Sequence, residues 1–336
     1  MPETTLIAFL PMSEAQGHLT LGAMKAVLTD GGEVELGAAD RLALESAARH
    51  VLYTKRMPEL TTLETPSSEV LAQAFPSADY RRYILQLIAI MAFIDGRIDH
   101  RKLDIVSRYA SGLGITDDYV DDLSETAQDH IGSVRAHMLR DNVKSISGMD
   151  VEKDFGAQFL PYDAHPDPAL TDRFRALGSL PYETFGRAFY DHYTQSGYEF
   201  PGRPGALSSL FAVPHDSTHL LSGYSTSVQG ELLVSTFTAA MHRSEGMSGH
   251  ILPVIFSWHL GIELNPVAGS ATGAFDAEKF WRAWERGRMV AVDVFAPDWN
   301  FWAVVGTPLA ELRSAYHIDN LDEAHAGTGL PAAVRP

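Results

Sequence analysis

The run Pro214-His215-Asp216-Ser217-Thr218-His219, followed after Gly230 by Glu231, constrains this chain more than any other stretch. His215 and His219 share a face only if the backbone between them is helical, and Asp216 then meets His219 at the i, i+3 offset. Beyond His219, Ser222 to Thr226 reads as a turn and Thr226 to Gln229 as a capping box that opens a second helix. An antiparallel return brings Glu231 back across an interaxial gap of about 8–10 Å, within reach of the histidines. His215, Asp216, His219 and Glu231 therefore read as one metal site on a pair of helices. Asp216 stands where a zinc protease of the HExxH type has its general-base Glu, which argues against proteolysis. The chain has no cysteine, so any metal sits on nitrogen and oxygen donors. Such a set suits a divalent ion, Zn(II), Fe(II) or Mn(II), and no soft ligand selects among them.

The rest of the chain extends the helical pattern and predicts an all-α protein of two helical domains. The 336 residues are 45% hydrophobic and 21% charged, enough for two cores. A formal net charge of -17 argues against nucleic-acid binding and against polybasic attachment to anionic lipid. Residues 1–17 read as an extension without the basic n-region of a secretory signal, which points to a cytoplasmic, bacterial-style protein. The longest apolar runs, Tyr83 to Ile94 and Ile251 to Leu264, fall short of the ~20 residues a membrane-spanning helix needs.

Residues 18–145 form the first expected domain, a duplicated unit of helix, acidic turn and helix. Leu21 to Leu28 and Ala38 to Leu52 flank Asp30-Gly31-Gly32; Tyr83 to Ile94 and His100 to Gly112 flank Asp95-Gly96. Asp95, Asp99 and Asp104 lack the alternating oxygen ligands of an EF-hand, and an Asp-Gly turn capping a helix accounts for them more simply. Met57 to Pro76 reads as a mobile loop and residues 146–168 as a linker. Residues 169–318 then form a metal-binding helical bundle, and 319–336 a disordered tail.

Within that second domain Arg187 and His242 are the candidate catalytic residues. Arg187 is placed to anchor an anion near the metal cleft. His242 lies about three turns beyond Glu231 on nearly the same face, as an acid-base partner or a group behind the ligands. His192, by contrast, reads as structural. Gly249 to Leu264 is a nearly all-apolar helix, fit for the core of a bundle and also to wall a tunnel for an apolar tail.

The HDxxH run, the later Glu231 and the apolar helix after it resemble the coenzyme Q biosynthesis protein 4 family. Leu180-Pro181 with Thr184-Phe185-Gly186-Arg187 is similar to a family segment, as are Trp284-Glu-Arg286-Gly287-Arg288, Asp298-Trp299 and Pro308-Leu309 with Glu311-Leu312-Arg313. The resemblance covers about residues 170 to 320. It implies a zinc-type site on His215, Asp216, His219 and Glu231, and chemistry of the ubiquinone pathway on a prenylated aromatic acid: loss of the ring carboxylate with hydroxylation at the same carbon. Arg187 would orient the anion. Two departures touch the anion-binding rim: Ser208 to Pro214 is neutral where the family carries charge, and so is Ser235 to Thr238. Ile94 to Asp99 with the following helix is similar to the tellurite-resistance TerB-like domain, which implies an interaction module that recruits other biosynthetic enzymes. Two readings stay open: a metal enzyme acting on a hydrophobic or prenylated small molecule, and a non-catalytic lipid-binding organiser with a structural metal. Both allow peripheral membrane contact and a homo-oligomer.

Overall fold

A computed structural model of the chain describes residues 12–128, 130–147, 159–242, 245–264 and 270–321. Residues 1–11 of the expected extension, 148–158 of the linker and 322–336 of the tail lie outside the described residues. The protein is all-α. Among the described residues the only β pairing is two isolated bridges, Thr184 with Pro308 and Leu260 with Thr272.

The first half runs α1 (Glu14–Leu28), α2 (Ala38–His50), α3 (Ser68–Ala74), α4 (Ala78–Ile90), α5 (His100–Leu113), α6 (Asp118–Thr126) and α7 (Ile131–Ser147). Both repeats are present. The first turn carries Gly31 at φ 74° and the second Gly96 at φ 70°, a left-handed conformation that suits glycine. Asp99 caps α5 by accepting from Arg101 N, and Asp95 accepts from Arg97 N and from the Lys102 ammonium. These carboxylates are spent on turns and caps, as their spacing implies. The Met57 to Pro76 stretch is better packed than its composition suggests. It contains α3, capped by Ser67, and it buries Leu60 and Leu71.

The second half runs α8 (Pro168–Ala176), α9 (Phe185–Ser196), α10 (Ser209–Ser222), α11 (Val228–Met241), a π-helical turn (Gly246–Ile251), α12 (Leu252–Trp258), α13 (Ala277–Met289), α14 (Phe301–Val304) and α15 (Leu309–Ala315). The histidine helix begins at Ser209, about one and a half turns before the position that Pro214 suggests. Ser208 caps it, its hydroxyl accepting from Leu210 N, and the chain passes through Pro214 as one α-helix. The expected long apolar helix is shorter and starts as a π-turn. Pro253 stands near the start of its α-helical part, and the helix closes at Trp258.

One continuous core runs through both halves. At its centre α11 packs on α13, and Gly287 permits the close approach, since a Cβ there would collide with the Phe237 carbonyl oxygen. The other face of α13 meets α2, where His50 lies 2.8 Å from both Glu278 and Glu285. Helix α7 lies against the π-turn and also touches α10. The first half thereby helps to enclose the histidine site. Among the described residues no helix is long and apolar enough to cross a membrane.

Candidate metal centre

Helix geometry and two caps build the site. The α10 face presents His215 and His219 one turn apart, their Nε2 atoms separated by 3.2 Å. Helix α11 begins after Ser227, whose hydroxyl accepts from Gly230 N, so that Glu231 stands in its first turn. Its carboxylate lies 3.3 Å from His215 Nε2 and 3.4 Å from His219 Nε2. The carboxylate thus meets the two imidazoles with different oxygens, Oε2 toward His215 and Oε1 toward His219. Tetrahedral coordination with bonds of about 2.0–2.1 Å has ligand–ligand edges of about 3.3 Å. The spacing between the two imidazole nitrogens, and from each to a carboxylate oxygen, is therefore of the size that a divalent ion spans.

The tautomer of His219 is set from outside this donor set. Its Nδ1 donates to the Tyr224 carbonyl oxygen at 2.9 Å, which leaves the lone pair on Nε2 directed at the site. The Tyr224 carbonyl is held there because Gly223 turns the chain at φ 85° and closes α10 with a hydrogen bond to the His219 carbonyl. Arg286 and Arg313 cover the same helix end, donating to the carbonyl oxygens of Ser222, Leu221 and Leu220. His215 is fixed differently: its ring stacks on Phe211, with centroids 5.3 Å apart.

Asp216 occupies the neighbouring face. A carboxylate oxygen and one ring nitrogen from each of His215 and His219 lie within 4.8 Å of one another, so this His/Asp/His group could hold a metal ion. The same carboxylate accepts a 2.6 Å hydrogen bond from the Tyr193 hydroxyl and lies 3.5 Å from His192 Nε2. These contacts tie it to α9.

The electrostatics are those of a compact charge cluster. Burial alone would raise Asp216, but His192, His215 and the Tyr193 hydroxyl hold it below the usual carboxylate range. Glu231 is likewise opposed by burial, yet the two histidines keep it far down. Burial works to lower His219, and the Glu231 and Asp216 carboxylates reverse that and raise it. Tyr193 is driven well up by burial and by Asp216, so its hydroxyl remains a donor.

This cluster sits on the wall of a cavity of about 610 Å³. Its apolar lining comes from both halves, with Met138, Leu139 and Ile146 of α7 facing Phe211, Val254 and Trp258. The apolar segment after Gly249 thus contributes both to the core and to the cavity wall. His215, Asp216 and Glu231 are the charged floor, and no lysine or arginine lines the cavity among the described residues.

The two residues expected to be catalytic lie elsewhere. The Arg187 guanidinium is held by Asp191 at 2.9 Å and by the Gly178 carbonyl, outside the cavity lining. His242 is also outside it, with Nδ1 2.8 Å from Asp293 and Nε2 2.9 Å from the Ser145 carbonyl oxygen. Helical period puts His242 on the face of Glu231, but α11 ends at Met241 and the chain turns away at His242. Residues that sequence reasoning passed over, Tyr193, Thr238 and His250, stand at the site instead, together with His192, which it read as structural. For His250 a signal existed, an ionisable side chain inside an otherwise apolar run. Tyr193 and Thr238 offered none, because nothing in their spacing relates them to the histidines.

Compared with known proteins, the chain matches no family model, no curated protein and no solved structure.

Proposed function

We propose that this chain is a metal-dependent enzyme acting on a hydrophobic, prenylated aromatic acid, of the kind processed in ubiquinone biosynthesis. The observation that carries this reading is the set of His215, His219 and Glu231 donors opening onto a largely apolar cavity of about 610 Å³. The resemblance of the histidine run and its flanking segments to the coenzyme Q biosynthesis protein 4 family supports the substrate class. Zn(II) suits these nitrogen and oxygen donors, and Fe(II) or Mn(II) would accept the same set.

His215, His219 and Glu231 would hold the ion, which supplies Lewis-acid polarisation of a bound phenolate or carboxylate. The protein's own contribution is enclosure and orientation. The α7 and α12 walls exclude water from the ring and seat the apolar tail, while Phe211 fixes one face beside His215. With Arg187 held by Asp191 and no lysine or arginine lining the cavity among the described residues, the substrate's carboxylate would be met at the metal. Replacing that carboxylate by hydroxyl releases CO2 and consumes an external two-electron oxidant. Asp216, held by Tyr193 and His192, is the positioned carboxylate next to this centre.

The organiser reading rests on a different observation: Asp216 is near enough to act as a fourth protein donor, and a site closed by four ligands is structural. X-ray absorption of the Zn(II)-loaded protein, with and without a farnesylated hydroxybenzoate, separates the two. Enzyme chemistry predicts a change in oxygen coordination on adding the acid, together with its turnover in the presence of dioxygen. An unchanged four-ligand shell and no product would favour the organiser.

A further inference from the structure

The cavity holds polar groups that the metal centre does not use. Thr238 lies on α11 with Glu231 and Ser235, at i+7 and i+4, so all three line the cavity from one helical face. Its hydroxyl oxygen is buried, at 1% residue exposure, and has no hydrogen-bond partner among the described residues. That is unusual for a helical threonine. Thr236, two residues earlier, satisfies its hydroxyl on the Leu232 carbonyl at 2.7 Å, and Thr218 does the same with Pro214 at 2.8 Å. Thr238 could bond its own helix in this way and does not. An orphaned buried hydroxyl in a native structure calls for a partner.

His250 lines the same cavity from the π-turn, a local distortion often found at functional sites. One ring nitrogen, Nε2, lies 2.8 Å from the Ser145 hydroxyl, and no further hydrogen bond of the ring occurs among the described residues. Ser145 is fixed in turn, since its carbonyl oxygen accepts from His242 Nε2, and His242 Nδ1 meets Asp293. His242 thereby positions His250 through Ser145, at one remove from the cavity. Burial, with His242 and His215 nearby, pushes His250 down to about 3, so the ring is a neutral hydrogen-bonding group.

We propose that Thr238 and His250 form a second polar subsite of the cavity, which takes an uncharged oxygen function, hydroxyl or carbonyl, carried by the ligand away from its metal-binding end. The seven residues from Glu231 to Thr238 set the separation at about 10 Å along the helix. The group is uncharged because no lysine or arginine lines the cavity among the described residues, while Asp216 and Glu231 already face it. This inference rests on the cavity being the ligand site of the metal centre, and it adds that the ligand is oxygenated at two separated points.

A matched pair of probes tests it: straight-chain hydroxamic acids, whose head binds Zn(II), with and without a terminal hydroxyl, over a series of chain lengths. Binding to the full Zn(II)-loaded chain is measured by calorimetry for wild type, Thr238→Val and His250→Leu. We expect both probes to bind only with the metal present. At one chain length the terminal hydroxyl should tighten binding about threefold to tenfold, the range for one net hydrogen bond. Both variants should lose that gain while keeping the affinity of the unmodified probe. Thr238→Val should also melt higher than wild type, because it removes an unsatisfied hydroxyl. Metal-dependent binding with no gain at any length, or a gain that survives both substitutions, overturns the subsite alone. If neither probe binds in a metal-dependent way, the reading of the cavity fails and the subsite with it.

Discussion

His219 turns Nδ1 to the Tyr224 carbonyl oxygen, 2.9 Å away, and through that one bond a loop outside the metal centre decides which nitrogen of His219 is free to bind. Gly223 makes the contact possible by adopting φ 85°, which returns the chain immediately after α10. The geometry of the site therefore depends on residues that hold no metal themselves.

Gly223→Ala should test this dependence. A Cβ at that left-handed conformation costs about 1–2 kcal/mol, and the loop relaxes at the expense of the Tyr224 contact. Metal affinity should fall about 10- to 100-fold, as for other changes behind a metal ligand, with the fold retained. Competition against a chromophoric chelator reads this directly, and an unchanged affinity would show that the tautomer is set by something else.

Tyr193→Phe removes the 2.6 Å hydrogen bond to Asp216 and leaves a buried carboxylate oxygen short of a partner. Stability should drop by about 1–3 kcal/mol in urea unfolding. Metal stoichiometry should remain near wild type, because Tyr193 bonds Asp216 and none of the three proposed ligands His215, His219 and Glu231. Loss of metal in this variant would make Asp216 a ligand.

The contact between α2 and α13 should respond to pH in two directions. Burial lowers His50, yet Glu285 and Glu278 outweigh it and raise the folded value above 6.5. Its stabilising contribution is therefore complete below 6.5 and disappears as pH rises through the raised value. Burial opposes ionisation of Glu278 too, but His50 and Ser46 bring it from 4.5 down to about 2. That contribution is complete above 4.5 and is lost as pH falls towards about 2. The stability difference between wild type and His50→Gln should accordingly peak between about pH 4.5 and 6.5. A difference that is flat with pH would show the cluster to be energetically neutral.

Gly287→Ala places a methyl group against the Phe237 carbonyl and the Ala240 side chain. Forcing α11 and α13 apart should cost about 1–3 kcal/mol in unfolding experiments. Since α11 carries Glu231, metal affinity should weaken as well. A variant as stable as wild type would mean that α13 can shift without disturbing its neighbour.

The sequence made the helical class and the histidine pair legible because both depend on local period. His215 and His219 lie within one turn, and Glu231 follows one short turn later, so their meeting needs only a helix and a reversal. Arg187 and His242 stand outside the cavity lining for a related reason. Period assigns a residue to a face, but it does not show that Asp191 at i+4 captures Arg187, nor that α11 stops one residue before His242. Residues of α7 lie far from the histidines in sequence, and no local pattern announces that Met138, Leu139 and Ile146 wall their cavity. The π-turn was equally hidden, since its register is set by packing against α7 rather than by propensity.

Metal content tests the central claim most directly. The purified chain, reconstituted with Zn(II) and dialysed, should carry about one equivalent by elemental analysis, on the single-site geometry of a tetrahedral centre. His219→Ala and Glu231→Ala should lose it while retaining helical circular dichroism and a cooperative melt. A wild type that binds no metal after reconstitution, or variants that keep a full equivalent, would contradict the assignment of these residues to a metal centre.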